Sequence, residues 1–136
     1  MRFKALIALA GVCVWPIGAT ALDTPPLSLK TTEDLYRVCT PAPDDPQRRE
    51  ALDLCEGFLI GAVSYHDAVS DREHLKRLIC YPTTVTRDEG VAAFVAWAQS
   101  HQQDGKFMSD PPVYGVVRGL ASKWPCNERA QRGKVR

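Results

Sequence analysis

The longest periodic segment of the chain is QRREALDLCEGFLIGAVSYHDAVSD, residues 47–71. Apolar side chains recur in it at positions 51, 52, 54, 55, 58, 59, 62, 63 and 69. This spacing matches the period of an α-helix over about six turns. We therefore predict a long central helix over residues 47–71, around which the fold is built.

Two glycines lie inside this segment. Gly57 and Gly61 are four residues apart, so they share one face of the predicted helix. Each glycine costs a helix about 1 kcal/mol relative to alanine. Such a pair in an otherwise strong helix indicates that another backbone packs closely against this face.

A short helix precedes the central one. Thr31 or Thr32 can cap it, and it ends at about Cys39. Residues 40–46 contain three prolines and two aspartates, which is typical of a turn. We expect this turn to connect the two helices.

A third helix follows a polar and irregular stretch. Thr86 and Glu89 have the spacing of a capping box, so the helix starts at Arg87, and it ends near His101. Its expected buried face consists of Val91, Phe94, Val95 and Ala98.

The last helix is predicted after Ser109 or Asp110, either of which can cap it, with Pro111 tolerated in the first turn. Its apolar stripe consists of Val113, Val116, Val117 and Leu120. The sequence contains no alternating strand pattern and no repeat. The predicted fold class is therefore all-α, a small bundle of four to five helices.

The beginning of the chain has the features of a secretory signal peptide. Arg2 and Lys4 precede an apolar run, residues 5–14, and small residues end at Ala21. We therefore expect cleavage after Ala21, which leaves a periplasmic mature chain. The apolar run is not a membrane span, because it is shorter than the roughly 20 residues that cross a bilayer. Lipidation at Cys13 is the alternative, although a valine precedes it where a small residue is normal.

The rest of the chain divides into three parts. Residues 22–30 form an extended lead-in, residues 31–126 one helical domain, and residues 127–136 a basic, disordered tail. Without the leader the chain loses two of its 17 basic and none of its 16 acidic residues, leaving a net charge of about −1. This balance indicates neither a nucleic-acid binder nor a binder of acidic substrates.

Four cysteines remain after cleavage: Cys39, Cys55, Cys80 and Cys126. An even number in an exported chain implies two disulfides, and four cysteines allow three pairings. No Cys-x-x-Cys motif indicates a zinc or redox site. If the third and last helices form an antiparallel hairpin, Cys80 lies beside Cys126, which leaves Cys39 to pair with Cys55.

Candidate catalytic residues are few. The histidines are His66, His74 and His101, and none belongs to a recognised metal or nucleophile motif. His66 and Asp67 are the best pair for catalysis, but adjacent helical side chains point about 100° apart. We expect His66 to have a surface or capping role and His74 to be solvated. The sequence predicts no catalytic residue, no cofactor and no metal.

Several short motifs follow one another along residues 31–126. They are Leu35-x-x-x-Cys39, Cys55-Glu-Gly57-Phe-Leu-Ile-Gly61 with Asp67 following, Cys80-Tyr-Pro82, Val85-Thr86, a helix ending at His101, and Trp124-Pro125-Cys126. Their order resembles the Rap/Tai immunity-protein family. The resemblance implies an exported helical protein that binds and inhibits a peptidoglycan amidase effector delivered by type VI secretion.

The resemblance also implies how the partner is bound. Characterised members insert a protruding loop into the cleft of the toxin, and they usually place proline after the histidine that closes the third helix. Here Gln102 follows His101, and the connection to the last helix is longer.

We therefore consider residues 102–109 as the partner-binding segment. Phe107 and Met108 are its expected apolar anchors, and Asp104 and Lys106 are its expected polar contacts. The alternative is a solvent loop whose apolar residues fold back on the core. The sequence is compatible with a monomer or a homodimer.

Two other functions remain open at this point. A small, exported, disulfide-bonded helical chain is also typical of an acid-stress chaperone of the HdeA type. Such a protein unfolds partly at about pH 2–3. Two predicted disulfides would resist such opening. An enzyme that uses His66 and Asp67 is the remaining alternative.

Overall fold

The computed structural model describes residues 29–126, and these residues confirm the all-α prediction. The five helices are α1 (Thr32–Cys39), α2 (Arg48–Arg72), α3 (Arg87–Ser100), α4 (Gly105–Ser109) and α5 (Pro112–Lys123). Ile79 and Pro125 form an isolated antiparallel bridge, and this part of the chain contains no strand. The central helix matches its predicted bounds to within one residue at each end.

The predicted leader, the lipidation alternative and the basic tail lie outside the described residues, as does nearly all of the lead-in. Among the helices of residues 29–126, none combines the length and apolar character needed to cross a membrane.

Capping boxes begin two of the helices: the one before α3 is as predicted, and at α1 the cap is Thr31, one of the two predicted alternatives. The side chain of Thr31 accepts the backbone N–H of Asp34, whose carboxylate accepts the backbone N–H of Thr31 in return. Thr86 and Glu89 make the same exchange before α3. The backbone N–H of Thr86 lowers the pKa of Glu89 by binding its ionised form.

The predicted side-chain cap of the last helix is wrong. Pro111 occupies the N-cap position and makes no side-chain cap, and Pro112 begins α5. Asp110 has other partners instead. Its carboxylate accepts a hydrogen bond of 2.6 Å from Arg118, and its carbonyl accepts the backbone N–H of Thr32 at 2.8 Å.

The core lies where α1, α2 and α5 pack around α3. Its fully buried side chains include Leu35, Ile79, Phe94 and Val116. Thr32 is also buried, and its hydroxyl is 3.1 Å from the carbonyl of Asp110, which joins the start of α1 to the segment before α5.

The glycines that permit close packing lie on α5, not on α2. A Cβ at Gly57 or Gly61 would meet nothing within 4 Å, so the prediction of a close backbone there is wrong. A Cβ at Gly115 would overlap Cγ2 of Thr32, and a Cβ at Gly119 would lie 3.2 Å from Cα of Phe94. These two glycines let α5 approach α1 and α3.

Both disulfides form with the predicted pairing. Cys39 bonds to Cys55 and fastens the end of α1 to the first half of α2. Cys80 bonds to Cys126 and ties the α2–α3 connection to the residues after α5. The chain is therefore stapled at two separate places.

Candidate functional site

The segment proposed to bind a partner, residues 102–109, is partly helical. No helix is predicted there from the sequence, but residues 105–109 form α4. The carboxylate of Asp104 accepts the backbone N–H groups of Lys106 and Phe107 at 3.1 and 3.2 Å. Asp104 therefore starts the helix, and this local cap is the sequence signal that could have revealed α4.

The four predicted contact residues differ in exposure. Asp104 and Lys106 are exposed, and Phe107 is half-buried. Met108 is only 4% exposed and belongs to the core. Met108 therefore positions α4 and does not present an apolar anchor at the surface, so for this residue the fold-back alternative is the correct one.

Phe107 belongs to an aromatic cluster with Trp97 and His101. The rings of Trp97 and His101 stack with centroids 4.6 Å apart, and Phe107 lies 5.5 Å from His101 and 6.1 Å from Trp97. Nδ1 of His101 is 2.8 Å from the carbonyl of Trp97. Because a carbonyl only accepts, Nδ1 carries the proton. This cluster fixes the end of α3 against α4.

Arg118 connects α4 to the exposed face of α5. Its guanidinium lies 4.6 Å from the ring centroid of Phe107 and 5.9 Å from that of Tyr114. The same group donates to the carboxylate of Asp110. Arg118 thus lies between the two rings and is held there by Asp110.

A groove of about 550 Å³ begins at Arg118 and runs between α2, the α2–α3 connection and α5. Large apolar side chains line it, and they are unusually exposed: Tyr65 (70%), Leu75 (56%), Leu78 (53%), Tyr114 (54%) and Val113 (36%). They make up five of the six exposed large apolar residues among residues 29–126. We call this surface the apolar groove.

Sequence reasoning missed the apolar groove. Leu75 and Leu78 lie in a polar stretch with no period, and the apolar stripe predicted for the last helix includes Val113. Val113 instead faces outward beside Tyr114, while Val116 and Leu120 enter the core. The adjacent apolar pair Val113 and Tyr114 at the start of α5 was the available sequence signal.

His66 and Asp67 contact each other, contrary to the prediction from their positions on the helix. Nδ1 of His66 is 3.0 Å from Oδ1 of Asp67, and the backbone N–H of Leu78 donates to Nε2 of His66 at 3.1 Å. Because Nε2 accepts, Nδ1 carries the hydrogen and donates a hydrogen bond to the carboxylate of Asp67. The side chain of His66 is 10% exposed and caps a backbone N–H of the α2–α3 connection, so of the two expected roles the capping one applies.

Asp67 also binds the far end of the connection. The hydroxyl of Tyr81 donates to Oδ2 of Asp67, and this hydrogen bond is the main cause that raises the pKa of Tyr81. Arg77 lies 3.5 Å from Asp67 and binds both carboxylate oxygens of Asp71. Together these contacts, the His66 network, hold residues 73–81 against α2.

Both ring nitrogens of His66 have partners within the His66 network. Nε2 of His66 is occupied by the N–H of Leu78, so it has no free position from which to accept a proton of a substrate. His74 is exposed, as expected, and turns the chain with a φ of 51°. Within residues 29–126, no group of three or more His, Cys, Asp or Glu side chains is placed to hold a metal ion.

Comparison with known proteins relates the chain to one family. The family model described as Rap1a immunity proteins matches residues 31–126, which is the whole helical domain from the cap of α1 to the second disulfide. No curated protein and no solved structure matches the chain.

Proposed function

Since the chain belongs to the Rap1a immunity protein family, we propose that it binds and inhibits a peptidoglycan amidase toxin delivered by type VI secretion, and that it acts in the periplasm. Family membership makes the chain an immunity protein whose partner is a toxin. The match over residues 31–126 is the observation that carries the proposal. The amidase follows from the resemblance of the motif order to members that act against amidases.

Inhibition occurs by occupation of the toxin's cleft, without a reaction of the chain's own. The best catalytic pair in the sequence, His66 with Asp67, is used to hold the α2–α3 connection. A protein that inhibits by binding needs a rigid surface, because each side chain ordered on binding costs about 0.5–1.5 kcal/mol. The Cys80–Cys126 disulfide before α3 and the aromatic cluster at the end of α3 supply part of that rigidity, and the Cys39–Cys55 disulfide fixes α1 on α2.

Action in the periplasm is supported by the two disulfides. Disulfides persist in oxidising compartments such as the bacterial periplasm and are rare in the cytosol. Both bridges lie inside the family domain, one joining α1 to α2 and the other joining the α2–α3 connection to the residues after α5.

Residues 102–109 supply part of the toxin contact. Asp104 and Lys106 present a carboxylate and an ammonium group to solvent, and Phe107 presents the edge of the aromatic cluster. Met108 contributes indirectly, since its burial fixes the orientation of α4.

The test is inhibition of peptidoglycan cleavage. The exported chain is purified from the periplasm with both disulfides intact and mixed with purified amidase effectors encoded beside its gene. We expect one amidase to be bound and its release of peptidoglycan fragments to be blocked. If none of these enzymes is bound or inhibited by the folded chain, the proposed function is wrong.

Point variants test the contact residues without disturbing the fold. Lys106→Ala removes an exposed charge, and Asp104→Asn keeps an N-cap side chain but removes its charge. We expect each to weaken amidase binding about 5- to 30-fold. Lys123→Ala, an exposed lysine at the opposite end of α5, is the control and should bind like the wild type. Unchanged binding of both test variants would exclude this segment.

A further inference from the structure

We propose that the apolar groove and residues 102–109 form one continuous toxin-binding surface, joined by Arg118. The inference rests on the proposed function and extends it to residues that no sequence motif indicated. The toxin surface that fits it is apolar in the middle and carries Asp or Glu side chains at its edge.

The size of a protein interface requires a surface larger than α4. A stable interface of standard size takes about 20–30 residues from each partner. The segment 102–109 contains eight residues, and Met108 among them is buried. The interface must therefore continue onto neighbouring surface, and the apolar groove lies directly beyond Arg118.

The composition of the apolar groove is that of a binding site. Soluble proteins rarely expose large contiguous apolar patches without a binding role. Here three separate segments of the chain converge to expose five large apolar side chains around one concave surface. Two of them, Tyr65 and Tyr114, are of a type enriched among the residues that dominate binding energy.

The charged side chains that line the groove indicate which kind of partner surface it binds. The charged side chains that line it are Lys76 and Arg118, and no carboxylate lines it. An acidic partner surface would complement these cations. In a two-fold dimer made through the groove, the same patch meets itself, so the Lys76 side chains of both copies would share the interface without a carboxylate of the groove, while each Arg118 stays paired with Asp110. The charge therefore favours the toxin over a second copy.

The apolar groove is also built to be rigid. Leu75 and Leu78 lie in the connection that the His66 network and the Cys80–Cys126 disulfide hold in place. The guanidinium of Arg118 lies 5.9 Å from the ring centroid of Tyr114, and the carboxylate of Asp110 holds this guanidinium in place. A surface already ordered before binding loses less conformational entropy when the partner arrives.

Two acidic substitutions test the inference against a matched control. Leu75→Asp and Tyr114→Asp place a carboxylate on the groove at positions that are 56% and 54% exposed, so the core is not disturbed. Ile60→Asp makes the same kind of change at a 39% exposed position of α2 that does not line the groove. The probe is the amidase that the wild-type chain inhibits, and the readouts are Kd and the molar mass of the free chain.

We expect each groove variant to raise Kd by about 30-fold or more, and Ile60→Asp to leave it within about threefold. Wild-type Kd in both groove variants would overturn the inference and leave the proposed function standing. Failure of the wild-type chain to bind any amidase would overturn both. A dimer of the wild type that becomes a monomer in the groove variants, with amidase binding retained, would assign the groove to a second copy instead.

Discussion

Alanine substitutions should have opposite effects at the glycines of α2 and α5. Gly57 is exposed and a Cβ there meets nothing, so Gly57→Ala gains helix propensity of up to about 1 kcal/mol. Gly115→Ala overlaps the side chain of Thr32, which cannot move away because its hydroxyl is bonded to the carbonyls of Asp110 and Pro111. We expect Gly115→Ala to lower the free energy of unfolding by about 2 kcal/mol.

Urea unfolding of the oxidised chain, followed by circular dichroism, measures both changes. Gly61→Ala is the control, since Gly61 is also exposed with open space around it and should behave like Gly57. A Gly115→Ala variant as stable as the wild type would contradict the close packing of α5 on α1.

At the level of elements, the α2–α3 connection depends on one histidine. His66 accepts the N–H of Leu78 and donates to Asp67, and His66→Phe keeps an aromatic ring but loses both hydrogen bonds. We expect the amide of Leu78 to exchange with solvent about tenfold faster in this variant. We also expect weaker amidase binding, because Leu75 and Leu78 are no longer held beside the groove.

Native-state hydrogen exchange resolved at single amides measures the first effect. His74→Asn is the matched control, since His74 is exposed in the same connection and asparagine tolerates its positive φ. Unchanged exchange at Leu78 in His66→Phe would mean that the Cys80–Cys126 disulfide and the contacts of Tyr81 and Arg77 hold the connection without His66.

Whether an element could be predicted depends on how local its determinants are. The bounds of α2 follow from periodicity, and the start of α3 follows from two capping residues three positions apart, so the sequence sufficed for both; for α1 it left Thr31 and Thr32 as alternative caps. The start of α5 could not be predicted in the same way. Asp110 can cap a helix, but a distant partner, Arg118, takes its carboxylate in the fold.

The candidate site was harder to predict from the sequence, because it depends on contacts between distant segments. Residues 102–109 were identified from the resemblance, but the burial of Met108 depends on how α4 meets the core. The apolar groove needs three segments that are distant in sequence to converge. The contact between His66 and Asp67 likewise arises because the connection folds back and gives His66 a second partner.

At the scale of the whole molecule, the two disulfides oppose partial unfolding at two different places. In the chain-entropy model, a bridge that closes a loop of 16 residues contributes about 3 kcal/mol, and one that closes 46 residues contributes about 4 kcal/mol. The first holds α1 on α2, and the second closes the segment that contains α3 and α5. Opening the core therefore requires helices to separate against a covalent constraint at each end.

This constraint predicts the response of the chain to acid and separates an immunity protein from an acid-stress chaperone. The pKa of Glu89 is lowered below its ordinary 4.5, so the stability that Glu89 contributes is complete above that pH. It is lost only as the pH falls through the lowered pKa.

We expect the oxidised chain to keep its helical signal at 222 nm and to bind no hydrophobic dye down to about pH 3. The reduced and alkylated chain, as the control, should lose helix and bind dye at a higher pH. Partial unfolding of the oxidised chain near pH 3, with dye binding, would instead support the chaperone, because an inhibitor gains nothing from exposing its core in acid.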